Sequence, residues 1–188
     1  MAKRINENTL QDKEHNLSNI LDTYNLTTRT QKLMQECAEA TLSGISVRIS
    51  KIVTNAIKAV FQDTYEFNLD FDIKYGRLSA SMYLIKDGEY YDPTLDNGDG
   101  VVDIIALTLR TAVLCLDKRQ LRRVLILDEP CGALSVDKQP YAGKLMQHLH
   151  ETLGIQFIIV GAHGNAYMEY ADKIFDFNSV DFNNKVIL

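Results

Sequence analysis

Two short apolar runs constrain this chain more than anything else in it. Val124-Leu125-Ile126-Leu127-Asp128 and Gln156-Phe157-Ile158-Ile159-Val160 are short for helices and too apolar for strands with one wet face. Between them, residues 138–153 carry helical periodicity and end at Gly154, a residue suited to a left-handed helix terminus. Strand, helix and strand in that order form a βαβ unit. Continuous apolar strands in such a unit imply a parallel sheet buried on both faces by helices, so the fold class is α/β.

Upstream of this unit the pattern is different. The first 43 residues lack glycine, and the three prolines (Pro93, Pro130, Pro140) all lie further on, which leaves the N-terminal third free to be helical. A first helix is expected over 8–24, with Leu10, Leu17, Ile20 and Leu21 as a thin apolar stripe. Asn25, Thr27 and Thr28 then offer turn and N-cap chemistry. A second helix is expected over 29–62. Its Leu42, Ile45, Ile49, Ile52 and Ala56 step by three and four, a heptad spacing that starts near Met34 and Cys37 and continues to Val60 and Phe61. Such a helix reads as the root of a coiled coil entering a globular head.

The period then changes to two. Residues 65–73 alternate strictly, Gly76 turns the chain, 78–85 form a second strand, and Asp87-Gly88 marks a hairpin into Glu89-Tyr90-Tyr91. An antiparallel β flap is expected there. Beyond Pro93, Asn97-Gly98-Asp99-Gly100 precedes an apolar helix over 101–116, while 172–177 and 185–188 each offer one more strand. The expected organisation is a helical, coiled-coil stub over 1–62 and a lobe over 63–188.

Composition excludes several classes. With 46% hydrophobic residues in 188, the chain is long and apolar enough for one real core. A net charge of −5 advertises no nucleic-acid surface, and the basic run Lys118-Arg119-Gln120-Leu121-Arg122-Arg123 reads more simply as a solvated corner. Cys37, Cys115 and Cys131 have no metal-ligand spacing, and Cys37 and Cys115 sit among apolar residues as buried, reduced thiols would. His148 and His150 do not share a helix face, which makes them a poor metal pair. Without a signal or membrane-spanning segment, a soluble, cytoplasmic protein with no membrane partner is expected.

The chemistry is concentrated in Val124-Leu125-Ile126-Leu127-Asp128-Glu129-Pro130. Two carboxylates stand at the C-terminal edge of a buried parallel strand, where ligands bind in open α/β sheets. Asp128 suits a Mg²⁺ ion, directly or through water, and Glu129 suits the polarisation of an attacking water. The glycines at 98 and 100 let backbone N–H groups approach an anion at the start of the following helix. His163 follows the second strand by three residues and reaches the same sheet edge. Each piece alone has an ordinary structural explanation. Their order, from glycine-rich turn through strand-Asp-Glu to strand-His, is far more specific.

That order resembles the C-terminal lobe of ABC ATPase heads of the SMC/RecF/SbcC class, and phage-encoded SbcC-like repair ATPases in particular. The resemblance covers about residues 31–177. It implies a partial ABC head, with a parallel sheet, covering helices and an antiparallel β flap, preceded by a helical coiled-coil stub. By the same resemblance, Leu95-Asp96-Asn97-Gly98-Asp99-Gly100 is the signature motif that contacts ATP across a dimer. Residues 125–129 are Walker B, Cys131-Gly132-Ala133-Leu134-Ser135 is the D-loop, and His163 is the switch histidine. Glu129 would then be the general base, Asp128 the Mg²⁺ partner and His163 the γ-phosphate sensor. Asn97, Gly98, Asp99, Gly100 and Ser135 would serve an ATP held by the opposite subunit.

The departures are equally informative. Asp96 or Asn97 stands where the family has a signature serine, and Ser135 stands where its D-loop ends in aspartate, with Asp137 two residues on. No G-x-x-x-x-G-K-[ST] run exists: Gly143-Lys144 is followed by Leu145. The chain is therefore expected to hydrolyse ATP only with a P-loop-bearing half or a homologous head, sharing ATP and Mg²⁺ with it. A split-gene half, a piece of a longer protein and a degenerate free-standing relative all fit. An SbcD-like nuclease and, indirectly, DNA are the further partners the resemblance implies. The rival expectation is a non-catalytic lobe that docks on a repair ATPase and regulates or inhibits it.

Overall fold

The structure, a computed structural model, describes residues 2–62, 65–74, 77–95, 98–117, 122–161 and 166–176. Two compact units divide the chain, Met1–Ile45 and Ser46–Leu188. One helix, α1 (Ala2–Phe61), supplies all of the described first unit and opens the second. The expected break near Asn25 does not occur. Thr23, Thr27, Thr28 and Thr30 each turn the hydroxyl back onto the carbonyl four residues earlier, at 2.8–2.9 Å, so Thr27 and Thr28, expected to form a turn and N-cap, are accommodated within the helix. In the first unit Leu10, Leu17, Ile20, Leu21 and Tyr24 are exposed.

The second unit begins where α1 meets a sheet. Ile49, Val53, Ala56, Ile57 and Val60 are buried, whereas Ile52 is exposed. The heptad reading thus gives way to a face of period 3.6, because the helix packs on strands. Those strands are β1 (Glu66–Lys74), β2 (Arg77–Lys86) and β3 (Glu89–Tyr91), antiparallel in the order β1-β2-β3. Phe67 pairs with Leu84 and Leu69 with Met82, and Phe67, Leu69 and Leu84 are buried. The β2–β3 turn has positive φ at both Asp87 (53°) and Gly88 (83°), as the hairpin reading requires. The expected turn at Gly76 lies outside the described residues.

The open edge of β1 is closed by side chains from α1. Ser46 donates to the carbonyl of Leu69, Ser50 Oγ accepts from its N–H at 3.0 Å, and Thr54 Oγ1 accepts from the N–H of Phe67 at 2.9 Å. Thr54 also donates to the Phe67 carbonyl. Three hydroxyls, one per helical turn, thereby satisfy backbone groups that an edge strand would leave bare.

The rest of the unit is the βαβ element. Helix α2 (Asp99–Leu116) buries Val101, Ile104, Ile105, Leu107 and Ala112, and the hydroxyls of its buried Thr108 and Thr111 bond back to the carbonyls of Ile104 and Leu107. Strand β4 (Val124–Asp128) runs parallel to β5 (Gln156–Val160), with α3 (Gln139–Leu153) between them in sequence. Gly154 ends α3 in the left-handed region, and Arg123 donates to the carbonyl of Leu153 at 2.6 Å, so one end of the basic run caps a helix. A short 3-10 turn, Ala166–Tyr170, packs on α3, where the Tyr170 ring lies over Gly143.

Three further expectations are corrected. Residues 172–176 are not a strand, while 177 and 185–188 lie outside the described residues. Cys37 is exposed and Cys115 half-buried, and Cys131 is the buried thiol. Most importantly, β4 and β5 are not buried on both faces. Leu127 points inward, but Ile126, Ile158 and Val160 are 74%, 44% and 60% exposed. The register sets Ile126 beside Ile158 and Asp128 beside Val160, so these residues share one uncovered face.

Candidate functional site

The site grows from the C-terminal end of β4. Asp128, the last residue of the strand, is exposed on the uncovered face. Glu129 leaves the strand with φ of 43°, in the left-handed region that a residue with a side chain seldom enters. Its N–H donates to the Val160 carbonyl at 2.8 Å and its own carbonyl accepts from Gly132 at 3.1 Å. Pinned from both sides, the backbone turns sharply and carries the carboxyl of Glu129 over Gly132, where a Cβ would stand 3.8 Å from Oε2. Local strain held by its surroundings is a recurrent feature of functional sites.

The loop after Glu129 is built from its own hydrogen bonds. Leu134 N–H donates to Cys131, Gln139 Nε2 donates to Leu134, and Lys138 and Gln139 N–H both donate to the Ser135 carbonyl. Cys131 and Leu134 are its buried anchors. Burial, with the carboxylate of Asp103 nearby, pushes the Cys131 thiol up to about 12, so it is a packing residue rather than a nucleophile. Ser135 hydrogen-bonds Asp137, which, with the Lys138 ammonium nearby, holds that carboxyl below its ordinary value. The Asp137 carboxylate thus stands beside the Ser135 hydroxyl.

Against this loop sits the start of α2. Gly98 is its N-cap, extended at φ −65° and ψ 147°, and among the described residues no side-chain cap bond is made there. Within the first turn the Val101 N–H donates to the Gly98 carbonyl at 3.0 Å, and a helix N-terminus of this kind favours an anion. Gly100 is the point of close approach: a Cβ there would stand 3.0 Å from Leu134 Cδ2 and 3.2 Å from the Ala133 carbonyl oxygen. One turn further along α2, the carboxylate of Asp103 accepts from the Ala133 N–H at 3.1 Å.

The structure therefore brings Gly100 to the loop that ends at Ser135 and sets Asp128 and Glu129 at its root, while Gly98 opens the same helix with no neighbour within 4 Å of where its Cβ would stand. Asp99 contributes its backbone to the first turn of α2. Asn97 and His163 lie outside the described residues, as does Asp96. Sequence reasoning missed Asp103, whose partner is 30 residues away and leaves no local signal. Among the described residues no group of three or more His, Cys, Asp and Glu side chains could hold a metal ion, so a cation at Asp128 would need ligands from elsewhere. An exposed carboxylate is a fitting hard donor for such a shared Mg²⁺. No described helix is long and apolar enough to cross a membrane.

No family model and no curated protein matches the chain. Solved structures do. An SMC ATPase structure, described for ATP-driven dimerisation and DNA-stimulated activation, matches with a TM-score of 0.50 and 16% identity over 67% of this chain and 73% of its own. An SMC head bound to the C-terminal winged-helix domain of ScpA matches with a TM-score of 0.51 and 17% identity, covering 71% of this chain. The head of Pyrococcus yayanosii Smc, with coiled coil and joint, matches at 0.51 and 14%, covering 66%. This chain spans 38% of the second and 23% of the third. At such identities it is architecture that is shared: the chain has the fold of an SMC-like ABC ATPase head.

Proposed function

We propose that this chain is the C-terminal half of a DNA repair or recombination ABC ATPase head, of the SbcC-like kind, completing an ATP site with a P-loop-bearing chain. The observation that carries the reading is the uncovered face of β4 and β5. A parallel sheet is ordinarily covered on both sides. Here Ile126, Ile158 and Val160 are exposed beside Asp128, and the described sheet has two strands. A lobe seated on that face brings its phosphates to the edge where Asp128 and Glu129 stand.

Within that assembly each residue has a role. Asp128 would hold Mg²⁺, which neutralises phosphate charge when bound. Glu129 orients water and accepts its proton, and His163 senses the γ-phosphate. The α2 N-terminus, with Asn97, Gly98, Asp99 and Gly100, faces an ATP held by the opposite subunit, and Ser135 with Asp137 stands beside it. The stub over 1–62 leads into a lobe over 63–188. The repair role and an SbcD-like nuclease partner rest on the motif resemblance. The solved relatives suggest two further features to look for, dimerisation driven by ATP and activation by DNA.

A second reading has its own support. The absent P-loop, together with Asp96 or Asn97 at the signature serine, suits a non-catalytic lobe that docks on a repair ATPase and regulates it. One experiment separates the two. A photo-crosslinking residue at Ile126 captures the chain covering this face, and ATP turnover is then measured in the reconstituted pair. A P-loop-bearing chain whose turnover needs Glu129 supports the first reading. A complete ATPase whose turnover falls on binding, and is indifferent to Glu129→Gln, supports the second.

A further inference from the structure

We propose that Asp103 is a positioning residue that locks the loop ending at Ser135 to the first turns of α2, so that the two reach a neighbouring subunit's nucleotide as one rigid unit. The inference rests on the ATPase reading above and deepens it. Its basis is two adjacent contacts. Leu134 packs on Gly100 closely enough that even a methyl group would intrude, at 3.0 Å. The Ala133 N–H donates to Asp103 Oδ2 at 3.1 Å. Gly100 and Asp103 are three apart on a helix and so share a face, which makes the contacts neighbours along one line.

The loop needs such a lock. Gly132, Ala133, Ser135 and Val136 are exposed, and its hydrogen bonds to Glu129 and within itself fix its shape without fixing its place on α2. The Leu134 contact is apolar and non-directional. The carboxylate is directional: it sets the register of the loop along the helix axis. If the α2 N-terminus and Ser135 act on one nucleotide, their spacing is set here. The residue touches neither nucleotide nor water in this reading and acts only through the loop.

The test compares Asp103→Ala with Asp103→Asn, whose amide oxygen still accepts from the Ala133 N–H. Amide exchange at Ala133 is followed in the full chain, and ATP kinetics in the reconstituted pair. Protection at Ala133 is expected to fall in Asp103→Ala and to persist in Asp103→Asn. In Asp103→Ala, kcat should fall at least about tenfold with KM for ATP unchanged, since misplacement of a positioning group costs rate rather than binding held elsewhere. Asp103→Asn should stay within about twofold of the parent, as the acceptor is retained. Unchanged kcat in Asp103→Ala, an equal loss in both variants, or a raised KM alone would each overturn the assignment, provided Glu129→Gln abolishes turnover in the same pair. If Glu129→Gln turns over normally, it is the ATPase reading that fails, and the role of Asp103 falls with it.

Discussion

Glu129 holds a strained backbone as well as the carboxylate on which the proposed hydrolysis would depend, and substitution separates the two. At φ of 43° a residue with a Cβ costs about 1–2 kcal/mol relative to a relaxed conformation. Glycine removes that strain but frees the unfolded chain by about 0.5–1 kcal/mol. The net expectation for Glu129→Gly is a gain of about 0.5–1 kcal/mol, or about 1–4 °C in Tm for a chain of this length. The side chain is exposed, so its loss contributes within about 0.5 kcal/mol. Asparagine tolerates the left-handed region and should gain less than glycine, while glutamine keeps the strain and should match the parent. Stability by urea denaturation and scanning calorimetry should therefore order Gly, Asn, then Gln with Glu. All three substitutions should lose ATP turnover in the assembly. A glycine variant no more stable than the glutamine variant would refute the strain argument. Full turnover in the asparagine variant would refute the role of the carboxylate.

Other consequences follow from packing and ionisation. Ser50→Ala leaves the Leu69 N–H without its acceptor at a buried position and should cost about 1–3 kcal/mol in urea denaturation; a loss below about 0.5 would mean another group replaces it. Gly143→Ala would ordinarily stabilise a mid-helix position by about 1 kcal/mol, but its Cβ would stand 2.3 Å from Tyr170 Cδ2. Overpacking of about 1–3 kcal/mol should make it neutral or destabilising, and in a Tyr170→Ala background the sign should reverse. Stabilisation in both backgrounds would show that the ring does not constrain α3. The Cys131 thiol, raised from 9.0 to about 12, stays protonated in the fold while the unfolded chain ionises above 9. Stability should be unaffected below pH 9 and fall as pH climbs from there towards 12, and Cys131→Ala should flatten that slope.

Much of this architecture was legible because its signals are local. The run 124–128, the Asp87-Gly88 turn and Gly154 each announce an element through period or backbone chemistry, and the structure places strands, hairpin and helix end where they indicate. The N-terminal helix was legible through most of 8–62 but not in its continuity, since α1 runs unbroken over Ala2–Phe61. Thr27 and Thr28 look like turn and N-cap residues until their hydroxyls bond back within the helix. Ser46, Ser50 and Thr54 read as polar residues on a helix, and nothing local says that they complete a strand edge. The two-sided burial inferred for β4 and β5 describes apolar content correctly and this chain's own packing incorrectly, since Ile126, Ile158 and Val160 remain uncovered. Asp103 was invisible for the same reason: its meaning lies in a partner 30 residues away.

The central claim is that an ATP site forms only when a P-loop lobe covers the open face of β4 and β5. The most direct measurement is ATP turnover by this chain alone, by the P-loop chain crosslinked at Ile126, and by the two together, each with Glu129 and with Glu129→Gln. The account predicts turnover only in the mixture that carries Glu129. Equal turnover by the mixture with Glu129→Gln, or by the P-loop chain without its partner, would contradict it.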